Sequence, residues 1–427
     1  MPPFLVDPKV LSSNLMLLLA HPLGNTFFRA ASRAFYSAGW LQELDSCICW
    51  DPDSTLARFL PASVGIQLAR RTFYDVPLSL QHSHHWRELG RLLSSSLSLF
   101  WLQRHEHGPL SIDAVFCSFD RHVASRLSNQ KGLRAIYAYE DAALSSFQAA
   151  ERLGLRRIYD LPIGYWQAGQ RIFQEESELQ PEWACTLTGL KDSTAKLARK
   201  DQELQLADLV VVPSEFVRST LQEYKINAQP IVVVPFGSPP PLTASPHTPS
   251  SGPLRVLYVG SLGQRKGLSY ALEAVQSLGS QVSLTLIGRV TPPECRPLVA
   301  ALRRHRWIES LPHHQVLEQM RQHDVLVLPS LFEGYALVIS EALSQGLPVI
   351  TTPNSGASVT IRNGVEGFIV PIRDSLAIAE CLQQLADNRT QLIEMRQACL
   401  RRAAELSWLV YEQGLRSAVG NLLSHST

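Results

Sequence analysis

The sequence predicts two doubly wound α/β domains in tandem, with a ligand cleft between them. Short apolar runs alternate with helical patterns along the chain, and several of these runs are apolar without interruption. Uninterrupted apolar strands are typical of parallel sheets that helices cover on both faces. The alternation restarts after residues 236–253, which are rich in Pro and Ser. Because such sheets bind ligands at the carboxyl ends of their strands, we expect the site where the two domains face each other.

The first half contains several predicted strands separated by helical patterns. The strands are expected at residues 14–20, 46–50, 113–118, 134–139, 208–213 and 230–235. The clearest helical patterns cover residues 26–38 and 141–153. We expect residues 1–238 to form the first domain.

The second half repeats this alternation after a linker, residues 239–253, that has almost no apolar anchors. Its strands are expected at residues 254–260, 282–288, 324–329, 348–352 and 367–370. Its helices are expected at residues 267–278, 316–322, 336–344 and 376–386. We expect residues 254–405 to form the second domain, and residues 406–427 to form a helix that packs back on the first.

Composition and charge restrict the class of protein and its partners. The 427 residues carry a formal net charge of +1, so bulk charge gives no basis for binding nucleic acid or acidic lipid. The seven cysteines are scattered and lack a Cys-x-x-Cys pair, which favours a reduced, cytoplasmic location. The amino terminus lacks the basic region of a signal peptide, and the apolar run at residues 15–20 is too short to span a membrane. The sequence is compatible with peripheral contact with the inner face of a membrane, but no feature requires it.

Two carboxylates stand eight residues apart around a predicted strand–loop–helix junction. Residues 324–330 predict a buried strand, Glu333 follows in the loop, and Glu341 lies about one turn into the next helix. A helix N-terminus presents free N–H groups, and carboxylates beside it suit ligands rich in hydroxyl groups, such as a sugar and a ribose. The alternative is an ordinary helix start at which acidic residues favour the dipole.

A second junction combines glycines with two cations. A predicted strand ends in Gly260-Ser-Leu-Gly263, after which Arg265 and Lys266 open a helix. Glycines let a ligand approach the backbone closely, Arg265 can bind phosphate through two donors, and Lys266 adds a point charge. The pair is expected to neutralise a diphosphate, and the alternative is a solvated basic turn. The sequence here is not a P-loop, which requires Gly-x-x-x-x-Gly-Lys-Ser/Thr.

The turn after the first predicted strand is a candidate site on the other side of the cleft. Gly24 and Asn25 are expected to present N–H groups toward the cleft. His21 is expected either to contact a sugar or transfer a proton, or to be a structural histidine beside Pro22.

Acidic residues end two further strands of the first half. Asp141 is either the N-cap of the following helix, with Glu140 favouring the dipole, or the two carboxylates touch the acceptor. Asp160 lies in a similar strand-end loop and is a candidate for contacting a sugar.

We expect no metal site. Several histidines lie close together in the first half, but they lack the spacing of a metal-binding motif or partner cysteines, which favours a solvated His-rich segment. They are His82, His84, His85, His105 and His107.

With these motifs in view, the second half resembles the retaining family-4 glycosyltransferases of the GT-B fold. The resemblance covers roughly residues 200–410 well and thins over the first 200. Its motifs occur in the order and spacing of that family, at residues 208–217, 258–267, 324–330, 332–343, 346–351, 363–370 and 406–408.

The resemblance implies a role for each matched residue. Glu333 would lie near the transferred sugar, and Glu341 would bind the ribose hydroxyls. Arg265 and Lys266 would bind the donor diphosphate. The backbone N–H groups of Gly334, Tyr335 and Ala336 would contact the phosphates and sugar of the donor, and no cofactor or metal would be needed.

The function implied is retaining transfer of a sugar from a nucleotide-diphosphate donor to a hydroxyl of a carbohydrate or glycolipid. Polysaccharide or glycoconjugate synthesis in the cytoplasm, or at the inner face of the membrane, is the expected setting. Residues 1–238 would bind the acceptor and residues 254–405 the nucleotide sugar. The alternatives are a nucleotide-sugar epimerase on the same fold and a non-catalytic subunit that binds nucleotide sugars.

Overall fold

The computed structural model describes residues 15–54, 65, 68–69, 71–226, 229–243, 252–290 and 295–424, and these form two parallel sheets. The strands of the first sheet are β1 (Leu17–Ala20), β2 (Leu41–Ser46), β3 (Gln81–Ser83), β4 (Ala135–Tyr139), β5 (Arg156–Asp160), β6 (Leu209–Val212) and β7 (Ile231–Val233). Those of the second sheet are β8 (Leu254–Val259), β9 (Val282–Ile287), β10 (Arg306–Ile308), β11 (Val325–Leu328), β12 (Val349–Thr351) and β13 (Gly367–Ile369).

Helices connect the strands and cover the sheets. In the first half they are α1 (Thr26–Ser37), α2 (Trp86–Ser96), α3 (Ile112–Leu127), α4 (Leu144–Arg152), α5 (Trp166–Leu179), α6 (Thr194–Leu206) and α7 (Glu215–Glu223). In the second half they are α8 (Leu268–Leu278), α9 (Arg296–Arg304), α10 (His313–Gln322), α11 (Leu337–Ser344), α12 (Ser375–Asp387), α13 (Arg389–Glu405) and α14 (Trp408–Ser424).

The strand order fixes where a ligand can bind in each sheet. The first sheet runs β3-β2-β1-β4-β5-β6-β7 and the second runs β10-β9-β8-β11-β12-β13, with all pairs parallel. The direction of winding therefore reverses between β1 and β4 and again between β8 and β11. Such reversals open a crevice at the carboxyl ends of the strands, where doubly wound proteins bind ligands. The predicted fold class is confirmed.

Two predicted strands of the first half are wrong. Residues 113–118 lie in α3, because Ser111 caps the helix by accepting from the N–H of Ala114 and the buried Val115, Phe119 and Val123 recur every four residues. A six-residue window was too short to reveal that spacing. The strand predicted at residues 46–50 lies earlier, as β2, and only its first residue is in the strand.

The core of the second sheet includes side chains from the first half of the sequence. Helix α5 and the 3₁₀ segment Pro181–Thr186 that follows it contribute apolar side chains to this core. The exchange runs the other way at the end of the chain, where Tyr411, Leu415 and Val419 of α14 pack in the core of the first sheet. Each sheet is thus completed by a segment from the other half, and the predicted boundary at residue 238 does not describe this exchange.

Two further predictions concern the linker and the thiols. Of the predicted linker, residues 239–243 and 252–253 are described, and Leu242 donates its N–H to the carbonyl of Ser344 at 2.7 Å.

All seven cysteines are free thiols. In the described part of the chain, no helix combines the length and apolar character needed to cross a membrane.

Candidate active site in the interdomain cleft

The loops after β8 and β11 bring three charged side chains together. Arg265 Nη1 lies 2.9 Å from Glu333 Oε1, and Lys266 Nζ lies 2.6 Å from Glu333 Oε2. The two loops are also joined through the backbone, since the carbonyl of Arg265 accepts from the N–H of Leu331 at 2.9 Å. Adjacent parallel strands therefore place the cations and the carboxylate, which are distant in sequence, in one cluster that we call the charged triad.

The triad is electrostatically coupled and nearly enclosed. Burial alone would raise the pKa of Glu333, but Lys266 and Arg265 outweigh it and hold the pKa at about 2. Burial lowers the pKa of Lys266, and Glu333 partly offsets that effect. Glu333 therefore stays ionised at neutral pH, and it pairs with a mostly buried Lys266 and with Arg265, whose side chain is 33% exposed.

Glycines permit the close approach of backbone and side chains around the triad. Gly260 has a φ of +146°, and a Cβ there would lie 2.9 Å from Cδ of Lys266. At Gly334 a Cβ would lie 1.7 Å from the carbonyl oxygen of Pro162 in the first domain. A Cβ on Gly263 would contact Thr186 at 3.3 Å. Only Gly334 meets backbone at a distance that excludes a Cβ, whereas a Cβ at Gly260 would displace the Lys266 side chain and one at Gly263 would require only a small shift of Thr186.

The Gly334→Ala variant is expected to lose about 1–3 kcal/mol of stability and to bind its donor more weakly, because the methyl group must push the two domains apart. Urea denaturation and nucleotide titration would measure both effects. Gly414→Ala is the matched control, because a Cβ there would contact only Cγ1 of Val234, at 3.3 Å. If Gly334→Ala left both quantities unchanged, the domains would stand farther apart in solution than described above.

Of the three backbone N–H groups predicted to contact the ligand, at Gly334, Tyr335 and Ala336, one is already hydrogen-bonded within the protein. Ala336 already donates its N–H to the carbonyl of Ser355 at 3.0 Å, so the role predicted for that N–H is not available here. The N–H groups of Gly334 and Tyr335 remain as candidates for contacting a donor phosphate. The Tyr335 ring itself turns away and packs edge-on against Phe236 at 5.4 Å.

Glu341 is the fifth of the eight residues of α11 and does not join the triad. Its Oε1 lies 3.0 Å from Nε2 of His313, at the start of α10. The hydrogen bond to Glu341 raises the pKa of His313 above its usual value. No local pattern predicted this contact between His313 and Glu341.

On the other side of the cleft, His21 is buried after β1. Burial lowers its pKa to about 3, and Nδ1 accepts from the N–H of Leu23 at 2.8 Å. Asn25 is the N-cap of α1 and accepts from the N–H of Phe28 at 2.8 Å, while Gly24 accepts from Arg29. The imidazole is therefore neutral, and the Asn25 side chain has a structural role of its own.

The structure corrects the capping role considered for Asp141. That residue has a φ of +72°, and the N-cap position of α4 is occupied by Ala143. The buried carboxylate of Glu203 takes over the capping, accepting from the N–H groups of Asp141, Ala143 and Leu144. Glu203 lies about sixty residues away in sequence, so no local pattern could have revealed it.

Lys200 joins both carboxylates at the end of β4. Its Nζ lies 2.7 Å from Glu140 Oε1 and 3.0 Å from Asp141 Oδ2. Glu140, Lys200 and Arg265 line one cavity of about 170 Å³ between the domains. Lys200 was missed by the sequence analysis, although Lys196, Arg199 and Lys200 share a helix face at spacings that a charge pattern can show.

Asp160 is separated from this cavity by its burial in the first core. Tyr137 donates its hydroxyl to Asp160 Oδ2 at 2.6 Å. Burial raises the pKa of Asp160 to about 7, and the tyrosine hydrogen bonds lower it only in part. This geometry favours a structural role over the predicted contact with a sugar.

One trio in the described part of the chain has the geometry of metal ligands. His105, Glu106 and Asp192 place ligand atoms close together, and His105 is one of the histidines expected to be solvated. Lys196 Nζ lies 3.0 Å from Asp192 Oδ1 and already supplies a positive charge there. The trio therefore fits an ion-pair network better than a cation site.

The loop after β8, which carries Arg265 and Lys266, is held by a contact between the two domains. Glu176 of α5 is fully buried and accepts from Gln264 Nε2 at 2.6 Å, Tyr270 Oη at 2.9 Å and Arg373 Nε at 2.8 Å. Thr186 accepts from the backbone N–H of Gln264 at 2.9 Å. We call Glu176 together with Gln264, Tyr270 and Arg373 the interdomain latch. Gln264 directly precedes Arg265, so the latch also positions the charged triad.

Comparison with known proteins identifies what this architecture is similar to. Residues 243–406 match the sequence model of a family described as glycosyl transferases group 1. The glycogen synthase of Mycobacterium tuberculosis is 28% identical over 170 residues, which are 38% of this chain and 41% of that protein. The D-inositol 3-phosphate glycosyltransferase of Corynebacterium diphtheriae is 25% identical over 258 residues, which are 54% of this chain and 60% of that protein. The chain thus matches between 41% and 60% of the length of these two relatives.

Solved structures extend the similarity to both domains. The sucrose-phosphate synthase of Thermosynechococcus elongatus has a TM-score of 0.65 at 17% identity, covering 96% of this chain and 99% of that chain. Alr3699/HepE from Anabaena, solved in complex with UDP and glucose, has a TM-score of 0.63 at 15% identity, covering 95% of this chain and 100% of that chain. The GT-B fold is confirmed, and so is the resemblance to glycosyltransferases that the motifs indicated.

Proposed function

We propose that this chain, whose second half matches the group 1 glycosyltransferases, transfers a sugar from a nucleotide-diphosphate donor to an acceptor hydroxyl with retention of anomeric configuration. The charged triad is the observation that carries the proposal. Two cations and a carboxylate meet at the strand ends where a GT-B cleft binds its ligands. The similar structure of Alr3699/HepE was solved in complex with UDP and glucose, which supports a nucleotide as the carrier of the donor sugar.

In the proposed reaction the bond between the anomeric carbon and the diphosphate oxygen breaks, and its electrons leave with the diphosphate. Arg265 and Lys266 are placed to stabilise that developing charge. The low exposure of Lys266 strengthens its effect, because less solvent screens the attraction. Two protein cations give the leaving group a counter-charge without a metal ion.

Retention follows if the acceptor attacks from the face that the diphosphate leaves. The acceptor oxygen then bonds to the anomeric carbon, and its proton passes to an oxygen of the departing phosphate. No side-chain nucleophile is needed on this path. A covalent glycosyl-enzyme trapped on Glu140 or Asp141 would contradict it.

Acceptor choice belongs to the first domain in this proposal. Glu140 and Lys200 line the cavity from that side, opposite Arg265, and present both a hydrogen-bond acceptor and a donor. A carbohydrate or a glycolipid hydroxyl suits such a pair. We place the reaction in polysaccharide or glycoconjugate synthesis in the cytoplasm, at the inner face of the membrane.

Two other functions make different predictions for the same site. A nucleotide-sugar epimerase would convert its donor without any acceptor. A non-catalytic binding subunit would bind the donor without turnover, although the complete triad favours a catalytic site. Product analysis with and without acceptor separates all three.

The first test is thermal-shift stabilisation by a panel of nucleotide diphosphates and nucleotide sugars. A ligand at 100 times its dissociation constant is expected to stabilise the wild type by about 2.7 kcal/mol. The Arg265→Ala, Lys266→Ala double variant is expected to lose that shift, because both diphosphate cations are gone. Arg303→Ala with Arg304→Ala, a neighbouring pair on α9, is the matched control and should keep it. No shift with any nucleotide would contradict the proposed donor site.

A further inference from the structure

The first domain has several large apolar side chains that are exposed to solvent and do not pack in its core. Trp86 and Leu93 of α2 and Leu97, its C-cap residue, are 76%, 62% and 68% exposed, and their spacings of seven and four place them on one side of the helix. Phe100 and Trp101 follow in a short 3₁₀ helix and are 65% and 69% exposed. We call these five residues the α2 apolar surface. Soluble proteins rarely leave so many large apolar side chains together in water.

The buried side of the same helix is polar. Glu88 is fully buried and pairs with Arg71 and Arg91, and Ser94 is buried beside Gln103. A helix on the surface of a soluble domain normally turns its apolar side inward. Here the arrangement is reversed, so the outward side of α2 is built to meet something other than water.

The charge around this surface indicates which kind of partner it meets. Glu88 is the only acidic residue between positions 85 and 105, and its charge is already neutralised inside the domain. Arg87 lies beside Trp86, and Arg104 is exposed just beyond Trp101. Tryptophan and arginine together are typical of protein segments that lie in the interface of an anionic bilayer.

We propose that the α2 apolar surface docks the protein on a bilayer that contains anionic lipid. The chain runs directly from this surface to the rim of the cleft. His105 Nε2 lies 3.0 Å from Asp192 Oδ1, and Asp192 lines the cavity that also contains Lys200 and Arg265. Docking therefore holds the cleft near the membrane, where it can receive an acceptor carried by a lipid. That last consequence rests on the proposed function, whereas the docking itself does not.

The test is co-sedimentation of the full chain with vesicles in the absence of nucleotide. Vesicles of phosphatidylcholine mixed with phosphatidylglycerol are expected to bind the wild type more tightly than vesicles of phosphatidylcholine alone. The Trp86→Ser, Trp101→Ser double variant is expected to lose at least about tenfold in vesicle affinity, because two interfacial side chains are removed. Arg104→Glu is expected to weaken binding to the anionic vesicles only.

Leu376→Ser is the matched control, since Leu376 of α12 is 73% exposed in the second half of the chain, and it should bind vesicles like the wild type. Absence of wild-type binding to either vesicle would overturn the proposal. So would a loss of equal size in the control. Self-association in sedimentation velocity that the tryptophan variant abolishes, without vesicle binding, would assign the surface to a second copy of the chain. Because no donor or turnover is needed, failure here leaves the proposed transferase function to its own tests.

Discussion

Replacing Lys266 by Ala is expected to lower kcat by a factor of about 10²–10³, the usual loss when one preorganised group that stabilises a leaving charge is removed. The lysine ammonium lies 2.6 Å from Glu333 and its side chain is mostly buried, so its charge is less screened than on the surface. Arg265 remains to bind the donor, so we expect the change in KM to be smaller than the change in kcat. Initial rates of nucleotide release, measured with the donor that the thermal-shift panel selects, would determine both constants.

The Lys266 experiment has two controls. Lys131→Ala removes an exposed lysine far from the cleft in sequence and should leave kcat unchanged. Lys266→Arg retains the charge, but it is expected to recover little activity, because the lysine stem already fills the space beside Gly260. A kcat within a few-fold of wild type for Lys266→Ala would show that the leaving charge is stabilised elsewhere.

Replacing Glu176 by Ala is expected to cost about 3–5 kcal/mol of stability, the range measured when one partner of a buried ion pair is removed. The variant leaves Arg373 without its buried partner, leaves the Tyr270 hydroxyl without its acceptor, and leaves Ser269 Oγ as the remaining acceptor for the Gln264 side chain. Since Gln264 precedes the triad, donor affinity should fall as well. Urea denaturation would measure the stability, and nucleotide titration the affinity.

Glu175→Ala is a close control for the interdomain latch. Glu175 is the preceding residue and also pairs with Arg373, at 2.9 Å, but its side chain is 43% exposed. Exposed pairs contribute about 0–1 kcal/mol, so this variant should remain near wild type. Equal losses for the two variants would indicate that the buried position of Glu176 is not what stabilises the two domains.

Local sequence was sufficient for the fold class and for the three residues of the charged triad. A strand, a glycine loop and two adjacent cations lie within a dozen residues at Arg265 and Lys266, so one window contains the whole pattern. The same holds for the strand and loop that carry Glu333. Parallel pairing of β8 with β11 then brings the two windows together.

Contacts between distant segments could not be predicted in this way. Glu203 caps α4 from far along the chain, whereas the local pattern offered Asp141 as one candidate for that role. Glu176 belongs by position to the first half, yet its partners Tyr270 and Arg373 lie in the second. Propensity and periodicity describe neighbours in sequence, whereas these carboxylates are placed by tertiary packing.

The exchange of segments between the two cores sets the rules for recombining this protein with its relatives. Consider a chimera that takes residues 1–238 from one parent and the rest from another. The core of its second sheet would then contain an α5 from the first parent, and the core of its first sheet an α14 from the second parent. The transplanted unit should instead carry residues 166–187 together with the second sheet, and leave residues 408–424 with the first. Acceptor specificity could then be exchanged as a module that comprises three separate stretches of chain.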